Sequence, residues 1–232
     1  MENKQYKLCI EILRRFSRKG LLDHFILIGS WAVVFYEDYF KKNAALGSFV
    51  LRTRDVDFLI ENPLRVNLAV SIPDLLKDLG FIPSFVGSKG YMQLSHPDLI
   101  LEFLVPEKGR GTNKPVPLPS LAMNATALRF LNFLTENTIS VKVEDFFVTV
   151  PHPANFALHK LIISQRRTKK EKAQKDRDAA VHILKALIAN NEGSLIRKFF
   201  NSVPMSWQKK INDGLRLIDE QEILNVIKKD SS

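Results

Sequence analysis

The chain has 232 residues, 45% of them hydrophobic and 25% charged, which fits one large globular domain or two smaller ones with an apolar core. A single cysteine, Cys9, excludes an internal disulfide, and the longest apolar stretch, residues 25–36, falls well short of the ~20 residues that span a bilayer. The net charge of +9 is uneven: residues 1–150 carry 18 Lys/Arg against 16 Asp/Glu, and residues 151–232 carry 16 against 9.

The opening Met-Glu-Asn-Lys lacks a signal-peptide apolar region, so a cytoplasmic protein with no membrane segment is expected. A basic surplus confined to one part of a molecule is an electrostatic footprint for a polyanion. It suits a nucleic-acid acceptor and equally a bare nucleotide, and a merely solvated basic face is the plainer reading.

Tyr6, Cys9, Ile10, Leu13 and Phe16 recur at helical spacing, with Lys7, Glu11, Arg14, Arg15 and Arg18 between them. This predicts an amphipathic helix ending near Gly20, with Cys9 on its buried side. A strand over 25–28 runs through Gly29-Ser30 into a helix over 31–40. Residues 49–60 contain the strand that carries Asp55 and Asp57. Pro63 opens a helical stretch that stops at Gly80, with Pro73 as a place for it to split. Strands over 81–86 and 91–95 flank a turn containing Gly87 and Gly90, and residues 99–105 make a third. Residues 106–119 read as loop, and residues 127–134, 139–143 and 146–150 as further strand. Pro151 and Pro153 mark a boundary. Beyond it the pattern is helical over 153–167, 172–190, 194–201 and 204–228.

Asp55 and Asp57 stand at i and i+2 of a strand and so share a face, with Val56 and Phe58 on the other. Two carboxylates held side by side repel unless a cation lies between them, and oxygen-only donors suit Mg²⁺. Gly29-Ser30 opens a helix after a strand, where backbone N–H groups receive phosphate. Together these features point to chemistry on a nucleoside triphosphate. Glu102 sits in Leu-Ile-Leu-Glu-Phe-Leu-Val, where an unpaired carboxylate is costly, and is the third candidate, with Asp98 as fallback. The plainer readings are an acidic solvent face for the aspartates, an ion-paired sheet-edge Glu102, and Ser30 as a simple N-cap. Arg52 and Arg54 flank the aspartate strand with roles the sequence leaves open. The five histidines show no zinc-ligand spacing.

The order strand, Gly29-Ser30, helix, then a strand bearing Asp55-Val-Asp57 resembles the nucleotidyltransferase superfamily with the DNA-polymerase-beta-like fold. The long spacer between Ser30 and Asp55, containing Lys41-Lys42-Asn43 and Gly47-Ser48, resembles the branch of AbiEii and MenT type toxins and their uncharacterised relatives. That resemblance implies an α+β fold: a mixed-sheet nucleotidyltransferase core with flanking helices over residues 1–150, then a helical domain over 151–232. It implies Asp55, Asp57 and Glu102 as catalytic metal ligands of a two-Mg²⁺ site, with Glu102 accepting the proton of the attacking hydroxyl. Gly29 and Ser30 would hold the β- and γ-phosphates. Lys160 and Asp176 match the branch's helix lysine and following aspartate as nucleotide-binding residues, and Arg166 and Lys175 match more loosely. The implied substrate is an NTP; RNA, particularly tRNA, is the implied acceptor, with a protein side chain or a small molecule as the alternatives, and an antitoxin is an implied partner. Two other classes remain: a non-catalytic module that binds nucleotide or nucleic acid, and a metal-dependent nuclease. For the nuclease pattern, Pro97-Asp98 and Glu102 fit but Leu104 stands where a lysine is needed.

Overall fold

A computed structural model describes residues 2–37, 39–40, 53–60, 69–111 and 114–228. The chain divides into two compact units, one of Met1–Phe35 with Val50–Pro151 and one of Tyr36–Phe49 with His152–Ser232. Lys41, Lys42, Asn43, Gly47, Ser48, Arg52 and the predicted helix start at Pro63 lie outside the described residues.

The first unit is built on a mixed sheet. Helix α1 (Glu2–Arg18) precedes β1 (Phe25–Ile28), α2 (Gly29–Val34), β2 (Asp55–Ile60) and α3 (Ile72–Leu76). Then come β3 (Ile82–Val86), β4 (Tyr91–Ser95), β5 (Ile100–Pro106), β6 (Val116–Leu118), β7 (Met123–Leu128), α4 (Asn132–Glu136), β8 (Thr138–Val143) and β9 (Phe146–Pro151). The strand order is β3-β4-β5-β2-β1-β9-β8, with β7 also on β5 and β6 on β7. β2 is antiparallel to β1 and parallel to β5, so the strand carrying the aspartates is interior to the sheet. That position explains why Val56, Phe58, Leu59 and Ile60 are all buried.

The two sheet faces differ in what covers them. On one, Phe16 of α1 packs edge-on against Phe25 and Phe58, and Phe58 stacks on Phe103 at 5.7 Å between centroids. On the other, Ile26, Ile28, Leu59 and Leu104 gather with Leu131 and Leu134. Cys9 lies buried on α1, and burial pushes its thiol well above the usual range, which leaves an inert core residue.

Several boundaries depart from the sequence pattern. Helix α2 ends at Val34, short of the predicted 31–40. Pro73 occupies the first turn of α3, where its missing N–H costs nothing, and Ser71 accepts from Asp74 N as the cap. Residues 127–134 divide into the end of β7 and the short α4, separated by Phe130 at φ +71°. Residues 106–119 include β6. The last predicted helix is two, because Asp219 adopts φ +54° between α8 and α9.

The second unit is helical: α5 (Pro153–Ser164), α6 (Lys170–Ala189), α7 (Gly193–Ser202), α8 (Met205–Leu217) and α9 (Gln221–Lys228). Helix α5 is buried along almost its whole length and packs on α6, α7 and α8. Tyr39 is tied into this unit by its hydroxyl. His152 Nδ1 accepts from Ala154 N at 3.1 Å, so the neutral ring carries its proton on Nε2 and donates to Tyr39 Oη, also at 3.1 Å. Tyr39 donates in turn to Glu192. Burial lowers the His152 pKa to about 4, which keeps that tautomer neutral. Among the described residues no helix is long and apolar enough to cross a membrane.

Candidate active site

In the parallel β2–β5 pair Asp57 stands opposite Glu102 and Asp55 opposite Ile100. Strand alternation therefore puts Asp55, Asp57 and Glu102 on one face and Val56, Phe58, Leu101 and Phe103 on the other. Burial follows the same division. Val56, Phe58 and Leu101 are fully buried, Asp57 and Glu102 are half-buried, and Asp55 is exposed. Two residues further along, this face becomes apolar at Leu59 and Leu104. The acids thus occupy the end of the face where apolar packing stops and ionised groups keep their water.

On its other side β2 meets β1, and Ile28 stands opposite Asp57. Gly29 follows with φ +69°, and a Cβ added there would lie 2.1 Å from Asp57 Oδ2. Glycine is thus required twice, for the backbone conformation and for the close approach of the carboxylate. Ser30 comes next, half-buried inside the first turn of α2. It is not the N-cap, a position held by Ile28 without a side-chain hydrogen bond.

Among the described residues no group of three His, Cys, Asp or Glu is gathered to hold a metal ion. What the register brings together is the pair Asp57 and Glu102, with Asp55 one pleat away on the same face. A donor set made only of carboxylate oxygens fits Mg²⁺ by its chemistry.

Asp98, the fallback, lies in the turn before β5 rather than on the strand face. A hydrogen bond from Lys4 holds its carboxyl below the usual range, opposed by burial and helped by the charges of Lys4, His96 and Arg54. Lys4 reaches Asp98 Oδ2 at 2.8 Å, and Gln5 donates to its backbone carbonyl, so Asp98 fastens α1 to the β4–β5 turn. Arg54 donates to His96 O at 2.7 Å and serves that same turn.

In the helical unit Asp176 is buried and takes two cations: Lys160 Nζ at 2.7 Å on Oδ1 and Arg167 Nε at 2.7 Å on Oδ2. Lys160 also lies 5.4 Å from the centroid of the Phe156 ring. The arginine in this pair is Arg167, one position on from the expected Arg166. Lys175 is exposed. Beside the pair, burial and the neighbouring Lys160 charge push the His159 pKa down to about 3, with Asp176 opposing.

A family model described as nucleotidyltransferase matches residues 7–203. The chain belongs to that family. No curated protein matches it in sequence. Solved structures similar to it include the solution structure of the antibiotic-resistance factor ANT(2'')-Ia, with 14% identity over 86% of this chain and 92% of that one and a TM-score of 0.49. The crystal structure of ANT(2'')-Ia with adenylyl-2''-tobramycin gives 14% identity over 84% and 97%, with a TM-score of 0.48. An antigenic nucleotidyltransferase-like protein from Paracoccidioides brasiliensis gives 12% identity over 95% and 91%, also at 0.48.

Three features of this nucleotidyltransferase escape a motif reading of its sequence. The Gly29–Asp57 contact joins residues far apart in the chain, so only the β1–β2 register reveals it. The Tyr39–His152–Glu192 chain spans 153 positions. The third, a polar row beside Glu102 formed by Gln93 and Ser84, has a sequence signal: the alternation in Tyr-Met-Gln-Leu-Ser over 91–95 puts Gln93 and Ser95 on one face.

Proposed function

We propose that this nucleotidyltransferase moves a nucleoside monophosphate from an NTP to a hydroxyl acceptor, using Asp55, Asp57 and Glu102 as ligands for Mg²⁺. The observation that carries the reading is the Asp57–Glu102 register beside the close Gly29 contact. When bound, the metal ions would neutralise phosphate charge and polarise the reacting oxygens. Backbone N–H groups of the Gly29-Ser30 turn receive the β- and γ-phosphate oxygens. Glu102, on β5 across β2 from the β1 strand that leads to Gly29, accepts the proton of the attacking hydroxyl. The acceptor oxygen bonds to the α-phosphorus, the bridge from α-phosphorus to the β-phosphate breaks, and pyrophosphate leaves with the electron pair.

Lys160 and Asp176 are assigned to nucleotide binding by their match to the AbiEii-like branch, and the charge of the helical unit supports that assignment. One carboxylate holding two cations leaves a net positive charge, which suits a triphosphate. RNA, particularly tRNA, is the acceptor favoured by charge: Arg166, Arg167, Lys169, Lys170, Lys172 and Lys175 fall within ten residues that hold one acid, Glu171. An antitoxin partner, as in the AbiEii and MenT type branch, belongs to this same reading.

The test is incubation of the protein with Mg²⁺, each α-labelled NTP, and total cellular RNA or protein. Label appearing in a hydroxyl-bearing acceptor, and lost in Asp57→Asn, supports the reading. Binding of Mg²⁺–NTP with no labelled product from any fraction would instead favour a non-catalytic nucleotide-binding module.

A further inference from the structure

Glu102 has a neighbour on each side. Across β2 lies Asp57, and across β4, in the antiparallel direction, lies Gln93. One strand further, Gln93 stands opposite Ser84 of β3, and Ser95 stands opposite Ile82. Partners directly opposite in register share a face, so Asp57, Glu102, Gln93 and Ser84 form a continuous row across four strands. At the ~4.8 Å spacing of neighbouring strands, Gln93 is one step and Ser84 two steps from the Glu102 carboxylate.

The row has its own internal order. Ser84 Oγ and Ser95 Oγ lie 2.7 Å apart, and Gln93 Nε2 donates to Ser95 Oγ at 3.4 Å. That bond turns Nε2 into the serine pair, and Gln93 Oε1 has no hydrogen-bond partner among the described residues. Gln93, Ser84 and Ser95 are all half-buried, and Ile82 beside them is 67% exposed, so solvent reaches this part of the face. The strand positions that share it on β2 to β5 carry no Lys or Arg.

The chemistry limits the occupant. Two hydroxyls and an amide offer neutral donors and acceptors at short range. Without a cation they are a poor seat for phosphate, which draws on Arg, Lys or several backbone amides. They match the hydroxyls of a sugar or polyol ring, whose edges need paired hydrogen bonds in both directions. The row also adjoins Glu102 on the side away from Gly29.

Resting on the catalytic reading above, we infer that Gln93, Ser84 and Ser95 form the acceptor subsite, binding an uncharged ring with neighbouring hydroxyls and presenting one of them to Glu102. The 3′-terminal ribose of an RNA and a free polyol share this chemistry. The transfer step is unchanged: the presented hydroxyl gives its proton to Glu102 and its oxygen to the α-phosphorus, and pyrophosphate leaves.

The experiment measures transfer from α-labelled NTP with Mg²⁺ to three acceptors: intact tRNA, tRNA whose terminal diol has been cleaved by periodate, and myo-inositol. It compares the wild type with Gln93→Leu and Gln93→Glu, and measures Kd for Mg²⁺–NTP in each. The expected result is at least a tenfold higher KM for whichever of intact tRNA or myo-inositol accepts label, without a matching change in the NTP Kd. Labelling of intact but not oxidised tRNA identifies ribose as the source; labelling of myo-inositol identifies a free polyol. Gln93→Glu keeps the shape of the side chain and brings a second negative charge next to Glu102, so it reports on the subsite if Gln93→Leu fails to fold. An unchanged acceptor KM in both variants, or label entering neither intact tRNA nor myo-inositol while the wild type binds NTP, overturns the subsite alone. A wild type that does not bind Mg²⁺–NTP removes the parent reading, and this one with it.

Discussion

The two units of this nucleotidyltransferase use their carboxylates in opposite ways. In the sheet, Asp55, Asp57 and Glu102 lie half-buried or exposed at the end of a face where apolar packing has stopped. In the helical bundle, Asp176 is buried and saturated by Lys160 and Arg167. A carboxylate open to solvent costs little to keep ionised; one buried inside the protein stays charged through the cations paired with it. The two sets differ in burial: Asp176 is buried and paired, whereas the sheet carboxylates are half-buried or exposed.

That contrast can be broken or sharpened by experiment. Asp57→Asn should have the largest effect on activity, lowering transfer at least a hundredfold, the scale on which single electrostatic groups act. Its melting temperature should stay near that of the wild type, because the side chain is not part of an apolar core. Retained transfer would remove Asp57 from the chemistry. Asp176→Ala should lower stability and also weaken NTP binding. It strands Lys160, whose side chain is 13% exposed, and should cost about 3 kcal/mol in denaturant unfolding. An unfolding free energy within a few tenths of wild type would show that the pair carries little.

Gly29→Ala should combine both phenotypes. A Cβ at φ +69° and 2.1 Å from Asp57 Oδ2 strains the turn by about 1–2 kcal/mol and displaces the carboxylate, so stability and transfer should fall together. The bundle should also respond to acid. His159 and His152 have folded pKa values lowered to about 3 and about 4, below the unfolded value near 6.5. The unfolded chain therefore binds protons first, and stability should fall as pH drops from about 6.5 toward 3. Helical unfolding followed by circular dichroism reads this, and His159→Gln should flatten part of the slope. The smallest effect concerns RNA. Neutralising Lys169, Lys170, Lys172 and Lys175 should lower the salt slope of RNA binding by roughly 0.7 for each lost phosphate contact.

Much of the sheet is readable from sequence because its signal is local. The alternation around Asp55 and Asp57, the glycine turn after β1 and the apolar run of β5 each fit within ten residues. The N-terminal helix and α5 to α7 were legible for the same reason. Less legible are places where one backbone angle decides, such as Asp219 between α8 and α9, or where an element ends without a local stop signal, as at Val34. The candidate residues could be named from their types. Which of them face one another depends on strand order, and no local pattern specifies that β2 lies between β1 and β5. For the same reason the sequence does not disclose the bond between Asp98 and Lys4.

The position of β2 has one further consequence. A strand bonded on both sides opens only when the whole sheet does, so the amides of Val56 and Phe58 should be among the slowest in the protein to exchange with deuterium. β3, at the border of the sheet with Ile82, Phe85 and Val86 open to solvent, should exchange far sooner. Candidate carboxylates on an interior strand, beside a pliable margin, would let the margin drift in sequence and acquire new molecular tastes while their own placement stays fixed.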